Sequence, residues 1–237
     1  IISPAPGSTL TSNSVTFTGG HTGADLQHWL YVGTTGPGSS NLSSQNLGTG
    51  HTATVSGLPN SGTIYVRYWT LFGSWVFTDQ QYTMNVATIF QDDMENGSGS
   101  WFAQAPWALT TATAHSATHS WTDSPGGNYS DNTNVSLWSP FLNFSGLTSV
   151  TLTFWHRYDL ESGFDFGNVW VTTNNGSSFT QVASFTGTNT TWTQSSPINL
   201  NAFAGQPSVR ILFQFVSDSS VTRDGWYIDD VVVTGTH

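Results

Sequence analysis

The chain has 237 residues, with four Arg and no Lys against fourteen Asp and Glu, for a formal net charge of −10 at pH 7. Without clustered cations it has nothing to hold a phosphate backbone, which excludes nucleic acid as a partner. Without Cys it has no disulfide framework, thiolate chemistry or Cys-based zinc site. Only 8 % of residues are charged, while eleven Trp, fifteen Phe and seven Tyr supply ample core material. That balance excludes a disordered chain and favours strands joined by polar turns.

The charge is unevenly held. Residues 1–90 carry Arg67, Asp25 and Asp79, whereas residues 91–237 carry three Arg and twelve acids. An acidic half of this kind suits divalent cations. No run of about 18 apolar residues is present, so no helical membrane span is expected. The opening Ile1-Ile2-Ser3-Pro4 has neither an initiator Met nor a leader, and it reads as that of a processed, secreted product.

In chain order, short alternating runs come first: Ser14–Thr18, Trp29–Val32, Ala53–Val55, Ile64–Thr70 and Trp75–Phe77. Gly, Pro, Asn and Ser clusters separate them at hairpin spacing, as an all-β sandwich requires. This set defines a first domain over residues 1–85, followed by a linker over 86–90. A second domain over 91–237 has strand candidates at 107–111, 136–138, 149–158, 167–173, 179–185, 191–198, 209–216 and 225–233. About eight strands fit a jelly roll. Asn174-Asn175-Gly176 is a tight hairpin signal.

The chemistry-bearing residues are mainly acids. Asp229 and Asp230 lie inside the otherwise apolar run Trp226–Val233. A carboxylate there is costly without a partner, and a bound cation is the economical one. Side chains alternate along a strand, so the pair is expected to point to opposite faces. A second acidic group, Asp159 and Glu161 with Asp165, reads as a solvated or second cation-binding loop, with a glycosidase pair as the alternative. No His-Glu-x-x-His, Gly-x-Ser-x-Gly, P-loop or dinucleotide fingerprint occurs. Trp155, Trp170 and Trp226 are expected in the core. Trp75, Trp101, Trp107 and Trp192 lie near turns or strand ends. Each is expected to cap an open end of its sandwich, with stacking on a sugar ring as the alternative for one that stays exposed.

Residues 1–85 resemble the fibronectin type III/immunoglobulin-like modules of bacterial secreted proteins. The resemblance is carried by Ser3-Pro-Ala-Pro-Gly-Ser-Thr9, Trp29-Leu-Tyr-Val-Gly33, Val55-Ser-Gly-Leu-Pro59 and Ile64-Tyr-Val-Arg-Tyr-Trp69. The eight residues Thr172–Phe179 look like a conservative Asp-box hairpin, a turn motif with a structural role.

Residues 91–234 resemble the MAM-like jelly-roll domain attached to bacterial metallopeptidases of the immune-inhibitor A type. The resemblance rests on Asp92-Asp-Met-Glu95, Ala114-His-Ser116, His119-Ser-Trp121, Asp123–Tyr129, Leu137-Trp-Ser-Pro-Phe141, Leu152–Tyr158, Asp165–Val169, Phe213–Asp218 and Gly225–Val231. It implies a calcium ion tying the domain ends together, held here by Glu95, Asp123, Asp229 and Asp230, with Asp93 a further candidate.

Together these readings give a non-catalytic, extracellular, calcium-stabilised recognition or adhesion module with a glycan or protein ligand. The alternatives are a fibre subunit that polymerises head to tail by strand addition through Ile1-Ile2, and an accessory domain of a secreted hydrolase.

Overall fold

A computed structural model of the chain describes residues 1–20 and 27–236. The chain is all-β, and among the described residues the helical content is one 3-10 turn at Asn201–Phe203. It divides into two compact units, the first over Ile1–Ala87 and the second over Thr88–Gly235.

In the first unit, strands β1 (Thr9–Leu10), β2 (Val15–Thr18), β3 (Gln27–Gly33), β4 (Ser43–Gly48), β5 (Thr52–Val55), β6 (Ser61–Phe72) and β7 (Ser74–Asn85) form two sheets. One has the order β1-β7-β6-β3-β4, and the other pairs β2 with β5. The alternation seen in the sequence becomes two faces. Leu30, Val32, Ile64, Val66, Tyr82 and Met84 turn inward to meet Phe17, Ala53 and Val55 of the smaller sheet. The Tyr82 hydroxyl donates to the Pro4 carbonyl at 3.1 Å, satisfying the polar tip of a buried ring. Ile2 donates its N–H to the Thr18 carbonyl at 2.9 Å, and Ile1 packs against the core, so both residues are engaged within this unit.

The stretch expected as a linker is not one. Val86 is buried and donates to the Asn60 carbonyl, and residues 87–92 form a strand, β8 (Ala87–Asp92). The adjacent apolar residues Ile89 and Phe90 both pack on the second core, and that packing turns the segment into an element.

The second unit continues with β9 (Phe102–Ala103), β10 (Ala108–Thr110), β11 (Ser120–Thr122), β12 (Asn134–Trp138), β13 (Ser149–Asp159), β14 (Phe166–Thr172), β15 (Thr180–Phe185), β16 (Thr188–Gln194), β17 (Ile198–Asn199), β18 (Arg210–Val216) and β19 (Gly225–Thr236). One sheet runs β10-β11-β19-β13-β16, with β17 added on β13 and β8 on β19. The other runs β15-β14-β18-β12-β9. The first strand of this unit therefore pairs with its last.

Between these sheets lies a core centred on Trp226, which is fully buried against Trp107, Phe154, Phe185 and Phe213. Gly167 is required by that ring, since a Cβ there would lie 2.6 Å from it. Trp226 is core as expected. Trp155 and Trp170 are only partly buried, because each alternates with core residues of its own strand: Phe154 and His156 in one case, Val169 and Val171 in the other.

Candidate functional site

The Asp229–Asp230 pair sits on a break in the β19 alternation. Trp226 and Ile228 face the core before it, and Val231 and Val233 face the core after it. Keeping both sets inward needs one extra residue, and Asp230 supplies it with a left-handed φ of 45°. The bulge overturns the expectation of opposite faces, and both carboxylates reach the same loop. Asp229 is fully buried, with Oδ2 accepting the N–H groups of His115 (2.8 Å) and Ser116 (3.1 Å) and Oδ1 accepting that of Asp230 (2.7 Å). Asp230 accepts the Ser116 hydroxyl at 3.0 Å and lies 2.5 Å from Nδ1 of His115, whose ring stacks on Trp155.

Glu95 holds the far end of this loop. It accepts the Thr118 hydroxyl (2.6 Å) and the N–H groups of Thr118 (2.9 Å) and His119 (2.7 Å). These bonds favour the charged form and pull the Glu95 pKa down to about 2, the Thr118 hydroxyl contributing most. Asp229 moves the other way, because burial outweighs its N–H bonds and lifts it to about 6.

Asp123 stands apart from this loop. Its Oδ1 accepts the Trp226 N–H at 2.7 Å, while its Oδ2 is buried without a partner. Burial raises its pKa to about 7. Gly225, at φ 96°, packs so closely on this carboxylate that a Cβ would come within 2.8 Å of Oδ1. Asp93 accepts the Glu95 N–H at 3.2 Å. Glu95, Asp229 and Asp230 thus converge on residues 115–119, spending their oxygens mainly on N–H and O–H donors, while Asp123 serves the core and Asp93 its own turn.

Among the described residues, the acids gathered within one ion's reach are Glu161, Asp165 and Asp218, whose carboxylate oxygens lie within 4.8 Å of one another. Asp165 is fully buried and accepts the Tyr129 hydroxyl and the Asp218 N–H (2.8 Å). Glu161 has a buried Oε2 with no hydrogen-bond partner. Burial first, then the Asp218 and Asp165 charges, raise its pKa. A cation here would relieve three mutually repelling carboxylates, so this cluster could hold a metal ion. Asp159 does not join it: its Oδ1 accepts the Thr188 hydroxyl at 2.9 Å and lies 3.7 Å from Arg223. Of the two acids suggested as a glycosidase pair, one is therefore held by a hydroxyl and a guanidinium, and the other belongs to a different cluster.

The tryptophans weighed between capping and sugar stacking divide. Trp101 and Trp107 are only 7 % and 4 % exposed and belong to the core, which withdraws them from any ligand. Their indole N–H groups donate to Asp92 and to the Val135 carbonyl. Trp192 is partly exposed and donates to the Thr113 hydroxyl at 3.1 Å.

A concave site of this unit lies elsewhere, on the outer face of the sheet containing β12, β14 and β18. A cavity of about 340 Å³ is lined by Trp138, Trp170, Phe179 and Leu212 together with Gln104, Ser136 and Gln214. The register explains the grouping. Ser136 pairs with Gln214 and Trp138 with Leu212 across β12–β18, and Trp170 pairs with Leu212 across β14–β18. Leu137 and Phe213, one position along, point into the core.

The groove is braced on several sides. The Trp170 indole donates to Gln214 Oε1 and Gln214 Nε2 donates to Asn134 Oδ1, both at 2.8 Å. Arg210 lies 4.9 Å over Trp138, held by its Nε bond to the Ser139 carbonyl. The Asp-box-like turn forms one wall. Asn174 Oδ1 accepts the Ser178 N–H, and the turn presents Phe179, 43 % exposed, edge-on to Trp138. The sequence signal for this groove is the outward set Arg210, Leu212 and Gln214 in a strand whose alternate residues are core. It becomes visible only once the face is known.

No protein-family profile matches the chain. Bacillopeptidase F of Bacillus subtilis (strain 168) is 29 % identical over 175 residues, covering 69 % of this chain and 12 % of that protein. The chain thus spans about an eighth of the relative's length. Among solved structures, the K1 cleaved adhesin domain of Lys-gingipain from Porphyromonas gingivalis W83 is 19 % identical at a TM-score of 0.47, covering 62 % of this chain and 97 % of its own. The tandem CBM22 domains of Xyn10C from Paenibacillus barcinonensis give 16 % and 0.46, with 96 % and 80 % covered. Among the described residues no helix is long and apolar enough to cross a membrane.

Proposed function

We propose that the chain is a non-catalytic glycan-recognition module of an exported protein, an accessory part of a larger secreted polypeptide, with a MAM-like jelly roll as its binding domain. The observation that carries this reading is the groove on the outer sheet face, where Trp138, Trp170 and Phe179 stand among Gln104, Ser136 and Gln214. Aromatic faces cover the apolar face of a sugar ring, while amides and hydroxyls meet its edge. The volume lies at the lower end of the range for small-ligand sites.

Affinity electrophoresis or pull-down against xylan, cellulose and chitin tests the groove. Trp138→Ala and Phe179→Ala should each weaken retention about tenfold or more, equivalent to ~1.4 kcal/mol or above. Trp192→Ala should leave it unchanged. Undiminished retention of both groove variants would remove the groove from the proposal.

Calcium belongs to the same proposal. The cluster Glu161, Asp165 and Asp218 offers hard carboxylate oxygens, one of them buried and unpartnered, which fits such an ion. EDTA should lower the melting temperature of the second domain, and added calcium should restore it. A site filled at a hundredfold excess over Kd contributes ~2.7 kcal/mol. Asp218→Asn should abolish that response. If the response instead persists in Asp218→Asn and disappears in Glu95→Gln, the ion lies at the Glu95–Asp229–Asp230 end.

A further inference from the structure

The first unit carries an aromatic surface of its own. On the outer face of its larger sheet, the register aligns Asn46, Trp29, Trp69 and Phe77 in one row across β4, β3, β6 and β7. The neighbouring row is Ser44, Tyr31, Arg67 and Asp79, and Trp75 follows on β7. Adjacent strands lie ~4.8 Å apart, so the rows set rings side by side at that spacing. The ring centroids of Trp29 and Tyr31 and of Tyr31 and Trp69 are 6.2 Å apart, and those of Trp69 and Phe77 4.8 Å. Trp75 meets Trp69 edge-on at 6.3 Å. Trp75 and Phe77 are 43 % and 51 % exposed, although these rings lie on a regular strand whose far end is well packed.

Among the described residues, the charges on this face cancel. Arg67 lies 3.9 Å over Phe77 and is tied to Asp79 by two bonds, Nε to Oδ1 at 2.7 Å and Nη2 to Oδ2 at 2.8 Å. Among the described residues, an anionic or cationic occupant finds no unpaired charge here. What the rows add beside the rings is hydroxyl and amide, from Ser44 and Asn46, with Gln81 opposite Tyr65 in the next row. A neutral polyol matches this combination of rings, amides and cancelled charge, its apolar face on the rings and its hydroxyl edge on the polar groups.

We propose that the outer face of this sheet, through Trp69, Trp75, Phe77 and Tyr31, is a second binding surface for a neutral polysaccharide, separate from the groove of the second domain. It rests on the glycan reading of that groove only for the choice of probe.

The test uses the full chain and pull-down on insoluble cellulose, chitin and xylan. Trp75→Ala combined with Phe77→Ala removes exposed rings and should leave both melting transitions in place, while lowering retention about tenfold on at least one polymer. Trp75→Phe combined with Phe77→Tyr keeps ring faces and should retain most binding. In a chain already carrying Trp138→Ala and Phe179→Ala, residual retention should vanish when the first-domain rings are also removed.

Retention unaffected by the first-domain variants, but lost with the groove variants, overturns this inference and leaves the groove standing. The reverse pattern overturns the groove and supports the inference. No retention of the unaltered chain on any polymer overturns both. Concentration-dependent dimerisation abolished by Trp75→Ala, with polysaccharide retention unchanged, assigns the face to a second copy and overturns the inference.

Discussion

Asp229→Ala should destabilise the second domain by about 3–5 kcal/mol, because it strands the N–H groups of His115, Ser116 and Asp230 that the carboxylate satisfies. A buried donor left unpaired costs ~1–3 kcal/mol, and not all three stay buried once the loop relaxes. Against a typical domain stability of ~5–15 kcal/mol, this is a large fraction. Asp229→Asn keeps one acceptor oxygen and should lose about half as much. Urea unfolding followed by tryptophan fluorescence reads the difference, and limited proteolysis should cut first between residues 112 and 119. An Asp229→Ala midpoint equal to that of the unaltered chain would mean that the loop is held by something other than this carboxylate.

The second large effect centres on Trp226. Trp226→Ala should cost about 3–5 kcal/mol as a buried aromatic truncation. Gly167→Ala should cost about 1–3 kcal/mol by driving a Cβ into the same ring.

Trp226 also joins two titrating groups of opposite sign. Its indole N–H donates to His156 Nδ1 at 3.3 Å, and its backbone N–H donates to Asp123. Burial lowers the His156 pKa to about 4 from 6.5, so the unfolded chain binds the proton more readily. The stability tied to neutral His156 is therefore present above pH 6.5 and lost as pH falls towards 4, by up to ~3 kcal/mol. Asp123, raised to about 7 from 3.8, contributes stability at low pH that is lost as pH rises towards 7. His156→Phe should flatten the acid limb of a melting-temperature profile. Asp123→Asn should raise the melting temperature at pH 8 and leave it little changed at pH 4. A fall at pH 8 for Asp123→Asn, together with loss of the calcium response, would instead make Asp123 a metal ligand.

Much of the architecture could be read from local pattern. Alternating runs became strands, Asn174-Asn175-Gly176 became a hairpin, and β-branched and aromatic composition became two sandwiches. Local pattern was weakest where a face had to be assigned. Trp155 and Trp170 looked like core residues from their strand positions. Yet period two puts half of any strand outside, and only the partner strands decide which half. Trp101 and Trp107, flanking turns, left capping and exposure both open, and the loops carrying them fold over the core.

The acids show the same division. Glu161 and Asp165 were visible as one loop, whereas Asp218, 53 positions beyond Asp165, joins them only through the fold. The bulge at Asp230 left no local mark beyond a phase slip in the apolar alternation, from Trp226 and Ile228 to Val231 and Val233. That slip is what sends both carboxylates to one loop.

The pairing of β8 with β19 places the entrance and exit of the second domain side by side. A domain built this way can be spliced into a surface loop of an unrelated host without prising the host apart, since the two cut ends need span only neighbouring strands. It can also be repeated in series as a mosaic unit, each copy closed upon itself before the next begins. Drawn out under tension, such a unit would bear the load through β8 and β19, and because β19 carries Trp226 the seam could not part far without disturbing the core.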